Sequence, residues 1–137
     1  MKRVLFLCVH NSARSQMAEG MLRAWGGDRY EAASAGSAPS VVRPLAIRAM
    51  AEIGIDISGH ASKVVTVFRD EWFDDAVTVC DDAREACPYF PTARRQVHWS
   101  FDDPAAATGS EEAQLAVYRR VRDEIAGRIR AEYLEGV

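Results

Sequence analysis

The apolar positions of this chain change period several times, and each change marks an element. Arg3–Val9 is an apolar run without alternation, the pattern of a parallel strand buried on both faces. From Arg14 to Trp25 the apolar residues Met17, Ala18, Met21, Leu22 and Trp25 fall at helical spacing, and Gly26-Gly27 ends that helix. Tyr30–Ser34 predicts a short second strand, closed by Gly36. Pro44 suits the first turn of a second helix, which carries Ala46, Ala49, Met50 and Ile53 on one face and stops at Gly54. Ile55 and Ile57 flank Asp56 in an extended link, Ser58 begins a turn, and Lys63–Asp70 reads as irregular or a short helix. Ala76–Val79 predicts a third strand running into Cys80, and Arg95–Trp99 a weaker fourth. Ser110 caps a last helix whose stripe is Leu115, Tyr118, Val121, Ile125 and Ile129, with Glu111 and Glu112 in the first turn, where the dipole favours them.

Strands alternating with helices imply right-handed crossovers, so the expected fold is α/β: one domain over residues 1–137, a four-stranded parallel sheet with helices on both faces. Ligands in such sheets bind beyond the carboxyl ends of the strands. Cys8 and Cys80 both fall at such ends.

Composition narrows the function classes. At 137 residues, 48% apolar and 27% charged, the chain has the makeup of an ordinary globule with one core. A formal charge of −3 argues against nucleic-acid or anionic-membrane partners, which need a basic face. Met1-Lys2-Arg3 before an apolar run resembles a signal peptide start, but His10 and Asn11 end the run too early. No stretch approaches the roughly 20 apolar residues of a membrane span. Three cysteines, an odd number, do not suit a secreted disulfide framework, so a reducing cytoplasm is expected, with the protein acting as a monomer.

The strongest chemistry lies between the first strand and the first helix. Cys8 is followed by Val9, His10, Asn11, Ser12 and Ala13, then Arg14 and Ser15 at the mouth of the helix. Backbone N–H groups at a helix start, with the helix dipole, hold negative charge and stabilise a thiolate. Asn11 tolerates positive φ and can turn successive amides inward as an anion nest. Arg14 adds a two-pronged clamp for two oxygens, and Ser15 can donate its hydroxyl to the Cys8 sulfur. The stretch from Cys8 to Gly20 resembles the phosphate-binding loop of low-molecular-weight tyrosine phosphatases and of the arsenate reductases that share their fold.

Cys80 and Cys87 bracket Asp81–Ala86, a good helix sequence that Pro88 ends. In a helix their Cα atoms would stand about 10.5 Å apart, whereas a disulfide needs roughly 4.4–6.8 Å. A bridge between them requires the segment to unwind, and close-spaced zinc ligands are missing. Reducing pentavalent to trivalent arsenic takes two electrons, which converting two thiols to a disulfide supplies.

The stretches Val79–Ala83, Cys87-Pro88, His98–Ala105, Ser34-Ala35-Gly36, Ile55–Ser58 and Val121–Ile125 together resemble the thioredoxin-coupled arsenate reductases of this fold. A tyrosine phosphatase of the same fold would show aromatic residues after its Asp-Pro, where this chain has Ala105-Ala106. The resemblance implies arsenic detoxification by a relay. Cys8 is the nucleophile, Arg14 and the loop Val9–Ser15 bind the oxyanion, and Asp103 is the general acid, with Asp102 the runner-up. Cys80 and Cys87 form the redox pair that thioredoxin regenerates. It implies arsenate as substrate, phosphate or sulfate as stand-ins in the loop, and no cofactor. Two other readings stay open: phosphomonoester hydrolysis by the same loop, and a thiol-based arsenite or metal sensor without turnover.

Some relatives bind potassium near the loop through an asparagine, a glutamate, a serine and an aspartate. Asn11, Glu19 and Ser34 match the first three, but Lys63 stands at the fourth. The expectation is that Lys63 pairs with Glu19 in place of the ion and that no metal is held. His10 replaces a common glycine and is given no role; His60 and His98 read as turn and strand-end residues. The tryptophans read as core or rim packing, and Arg119, Arg120 and Arg122 as a solvated helix face.

Overall fold

The computed structural model describes residues 1–81, 88 and 90–135. Four strands, β1 (Lys2–Cys8), β2 (Tyr30–Gly36), β3 (Phe73–Thr78) and β4 (Ala93–His98), form one parallel sheet in the order β2-β1-β3-β4. Of three helices, α1 (Arg14–Gly26) lies in the crossover from β1 to β2, α2 (Pro44–Ala51) in that from β2 to β3, and α3 (Glu111–Ile129) follows β4. The architecture is the α/β fold expected, with β1 at the centre of the sheet.

Alternation along β1 sorts its side chains between two cores. Val4, Phe6 and Cys8 face the larger cluster, built with Met17, Met21 and Leu22 of α1, Met50 of α2, and Leu115, Val121 and Ile125 of α3. Leu5 and Leu7 face the other side, against Phe73, Ala76 and Phe90 and the short turn Val65–Phe68. Burying each such side chain is worth about 1.5–3 kcal/mol.

Several boundaries differ from the sequence reading. The second helix stops at Ala51, because Gly54 turns the chain at φ 81°, and Ile53 lies beyond the helix and is 36% exposed rather than on its buried face. β2 runs on to Gly36, where Gly36 pairs with Cys8. β3 begins three residues early, at Phe73, through two aspartates that alternation alone argues against.

Asp75 is tolerated there because its partners come from afar. Arg95 of β4 grips it with two bonds of 3.0 and 2.9 Å, the Tyr133 hydroxyl donates at 2.6 Å, and Lys2 stands 3.4 Å away. Burial pushes the Asp75 carboxyl up, but the bonds from Arg95 and Tyr133 and the Lys2 charge outweigh it and hold it below the ordinary aspartate value. Tyr133 sits in a π-helical turn, Arg130–Leu134, that prolongs α3, so this lock ties the chain's last turn to the amino-terminal end of the sheet.

Candidate active site

The loop from Val9 to Ala13 joins β1 to α1 at the carboxyl edge of the sheet. Its carbonyls are tied outward. The Val9 carbonyl accepts from the Ala38 N–H at 2.8 Å, and the Ser12 carbonyl from the Arg43 N–H at 2.8 Å. The His10 carbonyl accepts from the Ser40 N–H at 3.2 Å and the Ser62 hydroxyl at 2.9 Å. The C=O and N–H of a trans peptide point in opposite directions, so these ties turn the following amides to the inner side. Asn11 makes the bend at φ 48°, the positive value its residue type allows. His10 reaches across the loop, its Nδ1 2.9 Å from the Ala38 carbonyl.

Cys8 lies under this cradle, 2% exposed, with its Sγ 2.9 Å from the Ser15 Oγ. Arg14, 3% exposed, is held by the Phe101 carbonyl at 3.1 Å and faces Asp103 at 3.7 Å. The Asp103 carboxylate also accepts the Ala105 N–H at 3.0 Å, which fixes it over the turn Pro104–Ala106. Asp102, the runner-up acid, faces away and pairs with Arg120 at 3.1 Å. A cleft of about 290 Å³ is lined by Arg43, Leu45, Gln114, Tyr118 and Ala105 of the Pro104–Ala106 turn.

Cys80 is fully buried and joins the same hydrophobic cluster as Cys8. The Val79 N–H bonds the Leu7 carbonyl at 2.9 Å, and the Cys80 thiol lies 4.0 Å from that same oxygen. Neighbouring strands run about 4.8 Å apart, so the two thiols stand at adjoining strand ends. Cys87 and the helix expected between it and Cys80 lie outside the described residues.

The cation expectation is corrected in part. Glu19 is met by the Ser34 hydroxyl at 2.6 Å and by Arg23, one helical turn on, at 2.7 Å. Lys63 does not pair with it: its Nζ goes to the Ala61 carbonyl at 2.8 Å, and its backbone N–H bonds the Asn11 Oδ1 at 2.9 Å. Arg23 is the nearer cation on the same helix face, and an exposed ammonium gains little by leaving water. With a guanidinium already on Glu19 and the Asn11 oxygen engaged, these residues do not fit a potassium ion.

Sequence patterning gave no task to Gln16 or the Phe101 carbonyl and read His60 as a turn residue. Gln16 stands inside the loop motif, but the partners that give it a task are 45 residues away, at Ala61, and 44 away, at His60.

Comparison with known proteins agrees with this geometry. Residues 3–134 match the low molecular weight phosphotyrosine protein phosphatase family. The arsenate reductase of Halalkalibacterium halodurans is 47% identical over 129 residues, 94% of this chain and 93% of that protein. A solved arsenate reductase in the phosphate-binding state superimposes with a TM-score of 0.81 at 35% identity, covering 96% of this chain and 95% of its own. A thioredoxin-dependent arsenate reductase from Corynebacterium glutamicum gives a TM-score of 0.70 at 30% identity over 96% of this chain and 59% of its own. The cradle, its cysteine and the fold around them thus place this chain in the low molecular weight phosphotyrosine protein phosphatase family, among its arsenate reductases.

Proposed function

We propose that this chain reduces arsenate to arsenite in a reducing cytoplasm, as a monomer, through a three-thiol relay renewed by thioredoxin. The observation that carries this reading is the pair of buried thiols at adjoining strand ends, one of them inside an oxyanion cradle. A phosphatase needs only the first.

In the first step the Cys8 thiolate attacks arsenic while Arg14 and the loop amides hold the oxygens and Asp103 protonates the departing hydroxyl, which leaves as water. The Cys80 thiolate then attacks the Cys8 sulfur. The sulfur–arsenic bond breaks with its electron pair on arsenic, releasing arsenite and leaving a Cys8–Cys80 disulfide. Cys87 attacks Cys80 to form the second disulfide, freeing Cys8, and a thioredoxin-like dithiol reduces that bridge.

The deciding assay is arsenate-dependent NADPH oxidation with thioredoxin and thioredoxin reductase, repeated with glutaredoxin and mycothiol systems. The expected result is turnover with thioredoxin. Phosphomonoester hydrolysis is the second reading, favoured by the Cys8–Ser15 and Arg14–Asp103 contacts, which it needs without any second thiol. Rapid p-nitrophenyl phosphate cleavage with no arsenate-dependent oxidation in any coupled system would establish it instead. Because Arg23 occupies Glu19, replacing sodium by potassium at equal ionic strength is expected to leave the rate of arsenate reduction unchanged. A clear gain in potassium contradicts that.

A further inference from the structure

The cleft between the first turns of α2 and α3 is lined by two polar groups that the chemistry at Cys8 leaves unused. Arg43 stands just before α2, and its backbone N–H is engaged by the Ser12 carbonyl. Its guanidinium lines the cleft and makes no hydrogen bond or ion pair among the described residues. Tyr118 of α3 lines the same cleft and is 3% exposed. Its hydroxyl also has no hydrogen-bond partner among the described residues, although a phenol buried to this degree ordinarily finds one. Burial pushes the Tyr118 phenol above its ordinary value, with Arg43 pulling it back and Asp103 adding to the rise. The hydroxyl therefore keeps its proton near neutrality and is available to donate.

The surroundings select the ligand. Pro44 and Leu45 begin α2, and Glu111 and Gln114 lie in the first turn of α3, so the positive ends of two helix dipoles adjoin the cleft and favour an anion. The charge they favour is small, because the Glu111 carboxylate lines the cleft and the Asp103 charge reaches the Tyr118 phenol, and both oppose a dianion. One guanidinium and one hydroxyl match the two oxygens of a carboxylate. Pro44, Leu45 and Ala105 offer an apolar wall to its stem, in a volume of about 290 Å³ at the small end of ligand pockets. We propose that this cleft is a second binding site, separate from the cradle, for a small aliphatic monocarboxylate held by the Arg43 guanidinium and the Tyr118 hydroxyl. Its occupant touches the residues that hold the oxyanion machinery without entering it. The Arg43 N–H carries the Ser12 carbonyl, and the Ala105 N–H carries the Asp103 carboxylate.

The site can be tested without turnover. The probe is butyrate, titrated at constant ionic strength into the full chain with and without saturating phosphate, and butyramide is its uncharged counterpart. Gln114, whose side-chain amide is held by the Gly109 carbonyl at 2.9 Å, and the Leu45 methyls are the NMR reporters. Both are expected to shift saturably with butyrate, with a dissociation constant on the order of millimolar that phosphate leaves unchanged. Butyramide is expected to leave them in place. Arg43 is exposed and its backbone tie survives substitution, so Arg43→Gln reads the site in a folded protein; it is expected to weaken butyrate at least about ten-fold. Tyr118→Phe, which keeps the ring packed, is expected to weaken it roughly three- to ten-fold. No saturation by about 100 mM would overturn the site, as would a curve unchanged in Arg43→Gln or equal shifts with butyramide. Displacement of butyrate by phosphate would put the carboxylate in the cradle and overturn it too.

Discussion

Cys8→Ser is expected to abolish arsenate reduction, to below about 10⁻⁴ of the parent rate, while the protein stays folded. A serine hydroxyl at the foot of the cradle is scarcely ionised near neutrality, and an oxygen there cannot pass two electrons to arsenic through a disulfide. Cys80→Ser and Cys87→Ser are expected to stop multiple turnover for a different reason. Cradle and nucleophile remain, so the substrate is still bound and attacked. Without Cys80 the adduct is not resolved within the chain. Without Cys87 the reaction halts at a Cys8–Cys80 disulfide after one arsenite per chain. Any p-nitrophenyl phosphate hydrolysis, which needs Cys8 alone, should survive both of these changes and vanish only in Cys8→Ser. The check is arsenite released per chain in single-turnover and coupled assays; full turnover by Cys87→Ser refutes the relay. Serine for the fully buried Cys80 costs about 1 kcal/mol through the buried hydroxyl, too little to unfold the domain.

The second large effect lies at a residue with no chemistry. Gly36→Ala is expected to lower the melting temperature by roughly 10 °C and to weaken phosphate or arsenate binding at least about ten-fold. A Cβ at Gly36 would stand 2.5 Å from the Val9 carbonyl oxygen, 2.7 Å from the Cys8 carbonyl oxygen and 2.9 Å from the Asn11 nitrogen. All three are backbone atoms of the cradle, so no side-chain rotation relieves the contact. Gly36 is also bonded to the Lys63 carbonyl at 2.9 Å from its other side, so β2 cannot simply back away. The loop must shift, and its inward amides lose their alignment. Thermal unfolding and phosphate titration measure the two effects. A melting temperature and an affinity both within error of the parent would show that the cradle yields more easily than this packing allows.

Much of this was legible in the chain itself because it is local. The unbroken apolar run of β1, the helical stripe from Met17 to Leu22 and Ser110 capping α3 each depend on residues within a few positions of one another. The cysteine, arginine and asparagine of the cradle are local too, and so could be found by spacing. Ile53 was misplaced because helical spacing continues on paper past the point where the backbone leaves the helix. The start of β3 was missed because Asp74 and Asp75 oppose a buried strand on every local measure.

Only the tertiary structure decided the rest. Asp75 is buried because β4, the turn after α3 and the start of β1 bring Arg95, Tyr133 and Lys2 to it from distant parts of the chain. Arg23 rather than Lys63 meets Glu19, and His60, a turn residue by its neighbours in sequence, lies against the Gln16 side chain of α1. Asp103 rather than Asp102 faces Arg14 because the turn at Pro104 sends the two carboxylates to opposite sides. The physical reason is common to all of them. Periodicity and turn chemistry act through the backbone over a few residues, whereas the partner of a buried polar group is whichever one the folded chain brings within about 3 Å, and that distance bears no relation to separation along the sequence.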